Sequence, residues 1–244
     1  TALFHHYLYP DDYDGVIGGH PATGLSMQVG RALVYQRLLS SPDHYLPAAK
    51  IEALSRATVA TCDAADGLVD GLVSDPRACQ FRPETLRCEG ADGPDCLTAA
   101  QVETVKTIYA GVRTPDGTQV AAPYPPGHEG SRTGWTQWIT GAAPPTPQPD
   151  GWLAFGANPP AGFRLQEQNF AYMSLDRDDP AFGWRVFNLE RDLPRLRVMW
   201  EILTPDNPDL TPFRASGGKL IMYHGWSDPG ISAYGTVDYH DKVV

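Results

Sequence analysis

No apolar run in this sequence approaches the roughly 18–20 residues that a membrane-crossing helix requires. A basic excess is missing too. Lys and Arg number 19 against 29 Asp and Glu, a formal charge of −10. Phosphate backbones and anionic lipid both demand a cationic face, so nucleic acid and membrane are excluded as partners. There is no C-x-x-C, which removes thioredoxin-type redox chemistry and the knuckles of structural zinc sites. There is no G-x-S-x-G, and no serine stands on a strand–turn–helix elbow. These 244 residues therefore hold no complete nucleophile–base–acid set.

What is present describes a folded, loop-rich chain. Hydrophobic residues make up 42%, enough for a sizeable core and too much for intrinsic disorder. Glycine (24) and proline (23) together approach a fifth of the chain and predict long irregular loops. The length suits one large domain or two small ones. The chain opens Thr1-Ala2-Leu3-Phe4 without an initiator Met and closes on Tyr239–Val244 in mid-pattern. Both ends are expected to be internal to a longer protein, so missing targeting signals carry no information.

All four cysteines, Cys62, Cys79, Cys88 and Cys96, fall in one Gly/Pro/Asp-rich stretch. Two local disulfides explain this clustering better than four reduced core thiols, and they imply an oxidising compartment. Three connectivities are open. Sequential pairing closes the shortest loops, and an 18-residue loop contributes about 3 kcal/mol in the chain-entropy model. Inside the cluster, Asp63, Asp66 and Asp70 stand three and four residues apart, near glycines. Three carboxylates so close repel one another unless a cation lies between them, and calcium takes carboxylate and carbonyl oxygens. The spacing is not an EF-hand, and a solvated acidic turn explains the Asp-Gly pairs equally well.

Along the chain, residues 1–9 read as the end of a helix, and Tyr13–Gly19 as a buried strand between glycines. Helical periodicity follows at about 25–39 and 47–60. Thr98 and Gln101 form a capping-box pattern opening a helix with Val102, Val105, Ile108 and Tyr109 on one face, closed by Gly111. Residues 112–165 read as one long connection of the kind that forms lids. An aromatic-rich helical segment is expected over about 164–200, and Pro205, Pro208 and Pro212 mark a boundary. Lys219–His224 is a short apolar strand of the parallel type, running into Gly225-Trp226-Ser227-Asp228. A carboxylate just past the carboxyl end of such a strand is where open α/β sheets place functional groups. Asp228 is therefore the candidate acid, with a turn-capping role as the plain alternative. His5, His6 and His20 fall near the first strand and His224 within the second, while His128 and His240 have no obvious partner.

In order and content these segments resemble the tannase/feruloyl esterase family of serine esterases. The resemblance rests on Tyr9–Ile17 with Pro21-Ala22, Cys62–Pro76, Cys96-Leu97-Thr98 with Gln101, Ile108-Tyr109 with Gly111, Pro126–Glu129, and Gly218–Asp228. It implies an α/β protein: part of an α/β-hydrolase core (residues 1–24 and 213–244) with a large inserted, loop-rich lid domain (25–212). It implies Asp228 as the catalytic-triad acid, with the nucleophile serine and catalytic histidine outside this chain. On this basis Asp228 would find no histidine partner here, being solvated or held by backbone amides, and the chain alone would be inactive. The resemblance further implies structural Ca2+ held by the Asp63, Asp66 and Asp70 side chains and the Leu68 and Leu72 carbonyls. It also implies disulfides Cys62–Cys79 and Cys88–Cys96, and a secreted or periplasmic location.

The expected substrate is a small ester of an aromatic acid, of the gallate, ferulate or terephthalate type. Phe170, Tyr172 and Ile231 are candidate substrate contacts, within a wider aromatic set of Phe163, Phe182, Trp184 and Phe187. Two other classes compete. One is a non-catalytic binding module stabilised by calcium and disulfides. The other is a glycan-binding domain, suggested by Trp135, Trp138 and Trp152.

Overall fold

The computed structural model describes residues 2–22 and 24–244. Thr1 and Thr23, which fall in segments expected for the first helix and the core, lie outside the described residues. In chain order the elements are α1 (Ala2–Leu8), β1 (Gly15–Gly19), α2 (Leu25–Leu38), α3 (Ala48–Cys62) and α4 (Ala99–Ala110). There follow β2 (Val112–Arg113), β3 (Gln119–Ala121), β4 (Thr146–Pro147), β5 (Leu153–Ala154) and α5 (Ala161–Tyr172). The chain closes with α6 (Leu189–Asp192), α7 (Arg197–Leu203), α8 (Thr211–Ala215), β6 (Lys219–Tyr223) and α9 (Ala233–Val243). Among the described residues no helix is long and apolar enough to cross a membrane.

β1 and β6 pair in parallel, with Val16 opposite Leu220 and Gly19 opposite Tyr223. Strands distant in sequence thus become neighbours, and nearly all other elements lie between them in the chain. Two antiparallel pairs, β2 with β3 and β4 with β5, form elsewhere.

The helices pack around two apolar clusters that share α2. Its residues Leu25, Val29, Ala32, Tyr35 and Leu38 recur at helical spacing and are buried against Phe163, Phe170, Phe182, Trp184 and Phe187. Val34, on another face of α2, joins Ile51 and Leu54 of α3, Val102, Val105 and Ile108 of α4, and Trp135. Helix α4 starts where its capping box does. The Gln101 amide donates to the Thr98 hydroxyl, and the Thr98 amide donates to Gln101 Oε1. Gly111 ends the helix at φ 64°, a conformation that L side chains rarely adopt. The Cys62–Cys79 and Cys88–Cys96 bonds are present, so no free cysteine remains.

Three sequence expectations need correction. The 164–200 region is not one helical segment. Helix α5 ends at Tyr172, and irregular chain follows until α6. Asp179 makes a turn there, its backbone carbonyl accepting from the Phe182 amide and its carboxylate from the Ala181 amide. Pro180 in the same turn cannot donate a helical hydrogen bond. The 112–165 connection also contains the two short strand pairs and the first turn of α5, elements too brief for periodicity to reveal. The tryptophans do not form an open sugar platform. Trp135 is buried, and Trp152 meets Trp184 edge-on with centroids 5.1 Å apart.

A candidate active-site acid and its histidines

The carboxyl ends of β1 and β6 coincide. Continuing the parallel register one residue past Gly19 and Tyr223 brings His20 beside His224, with ring centroids 4.6 Å apart. His20 is the one non-glycine residue at positive φ (46°) among the described residues. Its backbone amide donates to the Tyr223 carbonyl at 2.9 Å, so this turn is fixed to the strand end.

Asp228 stands three residues beyond Gly225, and both its oxygens are engaged. Oδ1 accepts the amides of Gly230 and Ile231, each at 2.9 Å. Oδ2 lies 2.7 Å from His20 Nδ1 and 3.4 Å from His224 Nε2. The proton positions follow from the partners. A carboxylate only accepts, so His20 carries its proton on Nδ1, leaving Nε2 to accept the Gly225 amide at 3.4 Å. The Ile231 carbonyl, 3.0 Å from His224 Nε2, fixes that proton likewise, and His224 Nδ1 accepts the Thr236 hydroxyl at 2.7 Å. Burial of Asp228 opposes ionisation. Hydrogen bonds from His224, His20 and the Ile231 and Gly230 amides outweigh it and hold the carboxyl well below the ordinary carboxylate range.

The loop carrying Asp228 is anchored from α2. Buried Arg31 donates to the Gly230 carbonyl at 2.6 Å, and its guanidinium lies over the Trp138 ring. The Ser232 hydroxyl donates to the Pro123 carbonyl. Asp228 is thus a preorganised anion with one oxygen locked by amides and the other facing imidazoles. Such a group can orient a histidine and stabilise its protonated form.

The expected hold of backbone amides on Asp228 is present at Oδ1, but the expectation of no histidine partner is corrected, because His20 and His224 of this chain meet Oδ2. The missed signal was positional, because two adjacent parallel strands that both run into a histidine place those rings side by side. Ile231 lies at the site through its amide. Phe170 and Tyr172 belong to a different cluster. The Phe170 ring is fully buried and stacked on Phe182 at 5.0 Å, so it packs the core and presents no face to a ligand. Tyr172 is half-exposed at a surface hollow of about 310 Å³ that also includes Glu167, Pro180 and Trp184.

In the acidic loop, Asp63 is buried at the end of α3 and accepts the amides of Asp70 and Gly71 at 3.1 Å. Asp66 and Asp70 each accept the amide two residues on, from Leu68 and Leu72. Gly67 (φ 92°) and Gly71 (φ 84°) turn the chain after them. Hydrogen bonds, first from Ser74 and then from the Leu68 amide, lower the Asp66 pKa. The donor set is all oxygen, as calcium requires, and the Leu68 and Leu72 residues are exposed. The carboxylates are turned to the loop's own amides. Among the described residues two groups of three metal-ligating atoms lie within 4.8 Å of one another, and the Asp63, Asp66 and Asp70 carboxylates do not form such a group: the two are His20–His224–Asp228, and Cys88–Asp92–Cys96, whose sulfurs are tied in a disulfide.

The chain is thus a mixed α/β protein with an ionised carboxylate just past the carboxyl ends of a parallel strand pair, the place where open α/β sheets carry functional groups. The family model for tannase and feruloyl esterase matches residues 1–244, and the chain belongs to that family. It is 33% identical to an uncharacterized esterase of Xanthomonas campestris over all of this chain and 42% of that protein. It is 30% identical to the mono(2-hydroxyethyl) terephthalate hydrolase of Piscinibacter sakaiensis, over 96% of this chain and 45% of the relative. It is also 30% identical to a probable feruloyl esterase B-2 of Aspergillus terreus, over 97% and 41% respectively. The chain therefore spans less than half the length of these relatives. Its fold is shared with crystal structures of an esterase (TM-score 0.81) and of feruloyl esterase B (TM-score 0.78), both from Aspergillus oryzae. Each is 24% identical, matching 99% of this chain and 44% and 45% of theirs.

Proposed function

We propose that this chain supplies the acid of a Ser-His-Asp triad to a secreted or periplasmic carboxylic ester hydrolase acting on small esters of aromatic acids. The observation that carries the reading is Asp228, with Oδ1 held by two amides and Oδ2 presented to imidazole. The nucleophile serine and the catalytic histidine come from outside residues 1–244, in keeping with the fraction of its relatives that the chain spans. Residues 1–24 and 213–244 serve as part of an α/β-hydrolase core, joined through the β1–β6 pair, and 25–212 as a lid. Gallate, ferulate and terephthalate half-esters share the aromatic acyl group that Ile231 contacts beside the acid. Tyr172 is the lid aromatic available to substrate, while Phe170 packs in the core against Phe182 and Phe187. The two disulfides support an oxidising location.

A structural calcium ion is held by the Asp63, Asp66 and Asp70 side chains with the Leu68 and Leu72 carbonyls. It neutralises a loop of three carboxylates and braces the lid. The all-oxygen donor set and the two glycine turns support this assignment.

The test is turnover of an aromatic ester by the whole protein. Asp228→Asn leaves the triad histidine in the wrong tautomer and should cost turnover up to about 10⁴-fold, with the fold intact. His224→Gln, removing a weaker contact on the same oxygen, should cost far less. Near-normal turnover in Asp228→Asn would place the acid elsewhere, and an inactive unmutated protein would favour a binding module.

A further inference from the structure

We propose that His20, His224 and Asp228 form a binding site for a divalent transition-metal ion, with zinc the best fit. The three ligating atoms, His20 Nδ1, His224 Nε2 and Asp228 Oδ2, all lie within 4.8 Å of one another. The two separations from Oδ2, 2.7 and 3.4 Å, bracket the edge of about 3.3 Å in a tetrahedral shell with ~2.0–2.1 Å bonds. Two imidazoles and one carboxylate make a set that suits zinc and disfavours calcium, which takes oxygen alone. This site is therefore chemically distinct from the acidic loop.

The geometry is held from several sides. Asp228 Oδ1 is committed to the Gly230 and Ile231 amides, which leaves Oδ2 as a single-toothed ligand. The His20 backbone is fixed in its left-handed conformation by the Tyr223 carbonyl. The His224 side chain is 3% exposed and backed by Thr236. A ligating histidine commonly donates its other N–H to a nearby acceptor. When Nε2 turns to the ion, its proton moves to Nδ1, where the Thr236 hydroxyl accepts it. The exchange costs His224 its hydrogen bond to the Ile231 carbonyl. His20 gives up its Nδ1 proton and takes one on Nε2, which costs it the long contact from the Gly225 amide on a ring that is 43% exposed to water. The same exposure admits the ion and leaves the fourth position to a water molecule.

Metal binding stands on this chain alone. Its consequence for catalysis rests on the proposed function: an ion on Oδ2 takes the atom that the triad histidine needs, so zinc acts as a reversible inhibitor of the whole enzyme.

The chain, stripped with chelator and then titrated with Zn2+ in the calorimeter, should take up one ion. Co2+ in its place should give the intense visible bands of a tetrahedral site. Ca2+ should not displace Co2+ from it. His20→Asn, chosen because asparagine tolerates the left-handed backbone, and Asp228→Asn should each weaken Zn2+ binding at least about 10-fold. Circular dichroism confirms that both variants fold. Thr236→Val should weaken binding by a smaller factor. Absence of Zn2+ uptake, or unchanged affinity in both ligand variants, overturns the site. In the whole protein, Zn2+ should suppress ester turnover and chelator should restore it, with His20→Asn less sensitive. Turnover indifferent to saturating Zn2+ overturns the competition. A whole protein with no ester turnover at all defeats the functional reading, and the metal site is then judged by the titration of this chain.

Discussion

Ile17 and Ile221 lie opposite each other in the parallel β1–β6 pair, with 66% and 61% of their surface open to solvent. On the other face Val16 and Gly18 of β1 are buried, and Leu220 and Met222 of β6 are half-buried. Parallel strands are ordinarily covered on both faces, so one face of this pair carries apolar surface with no cover among the described residues.

This arrangement predicts that the isolated chain binds a hydrophobic dye and self-associates as concentration rises. The double variant Ile17→Thr/Ile221→Thr should reduce both effects. Because both side chains are already exposed, stability should change by no more than about 0.5–1 kcal/mol. Dye fluorescence, sedimentation and urea unfolding check the three parts. Equal dye binding by the variant would assign the apolar surface to another patch.

The acidic loop predicts a calcium-dependent melting temperature. Calcium should raise it and chelator lower it, and Asp66→Asn should shrink the difference, because one of three charges is lost. Asp63→Asn should do more damage. Its carboxylate also holds the Asp70 and Gly71 amides, so its loss disturbs the loop with or without an ion. A melting curve indifferent to calcium and chelator, together with a metal-free protein, would leave the loop as a set of Asx turns.

What the sequence made legible was local. The strand before Asp228, the capping box at Thr98 and the stripe along α2 each announce themselves within a dozen residues. The His20–Asp228 contact does not, because it joins residues 208 apart and depends on which strands become neighbours. Gly18-Gly19-His20 and Tyr223-His224-Gly225 carry the signal only once β1 and β6 are known to be parallel. The aromatic run after residue 164 misled for a different reason. Its side chains are core residues, as composition suggests, but the turn at Asp179–Pro180 lets a folded loop supply Phe182, Trp184 and Phe187 to the same cluster as α5. Composition reports what is buried and leaves open whether helix or loop delivers it.

Asp192 predicts a specific acid sensitivity. Its carboxylate is fully buried between Arg191 and Arg195, and it accepts the Asn188 amide at 2.8 Å. Burial raises its pKa, but hydrogen bonds from Arg191, the Asn188 amide and Arg195 more than offset this and bring it to about 2. The folded value is depressed below the ordinary 3.8, so the stabilisation is complete above pH 3.8 and is lost as pH falls toward 2. The contribution is on the order of 2 kcal/mol. Urea unfolding at pH 5 and at pH 2.5 should show the unmutated chain losing more stability between the two than Asp192→Asn does. Equal losses would mean that the arginines do not hold this carboxylate.

Phe170 and Tyr172, two residues apart on α5, should separate stability from substrate contact. Phe170 is fully buried against Phe182 and Phe187, with ring centroids at 5.0 and 5.2 Å. Phe170→Ala removes a whole ring from a packed cluster and should cost about 3–5 kcal/mol. Phe170→Leu keeps much of the volume and should cost less. Tyr172 is half-exposed, so Tyr172→Ala should fall within about 0.5 kcal/mol of the unmutated chain. If Tyr172 meets the aromatic ester in the whole protein, Tyr172→Ala should raise KM for aromatic substrates while leaving short aliphatic esters unaffected. Phe170→Leu should move both substrates together, through stability alone. A Tyr172→Ala protein with unchanged KM for every ester would show that the hollow beside α5 faces solvent and not substrate. The acyl group would then be read from the Asp228 end, where Ile231 lies.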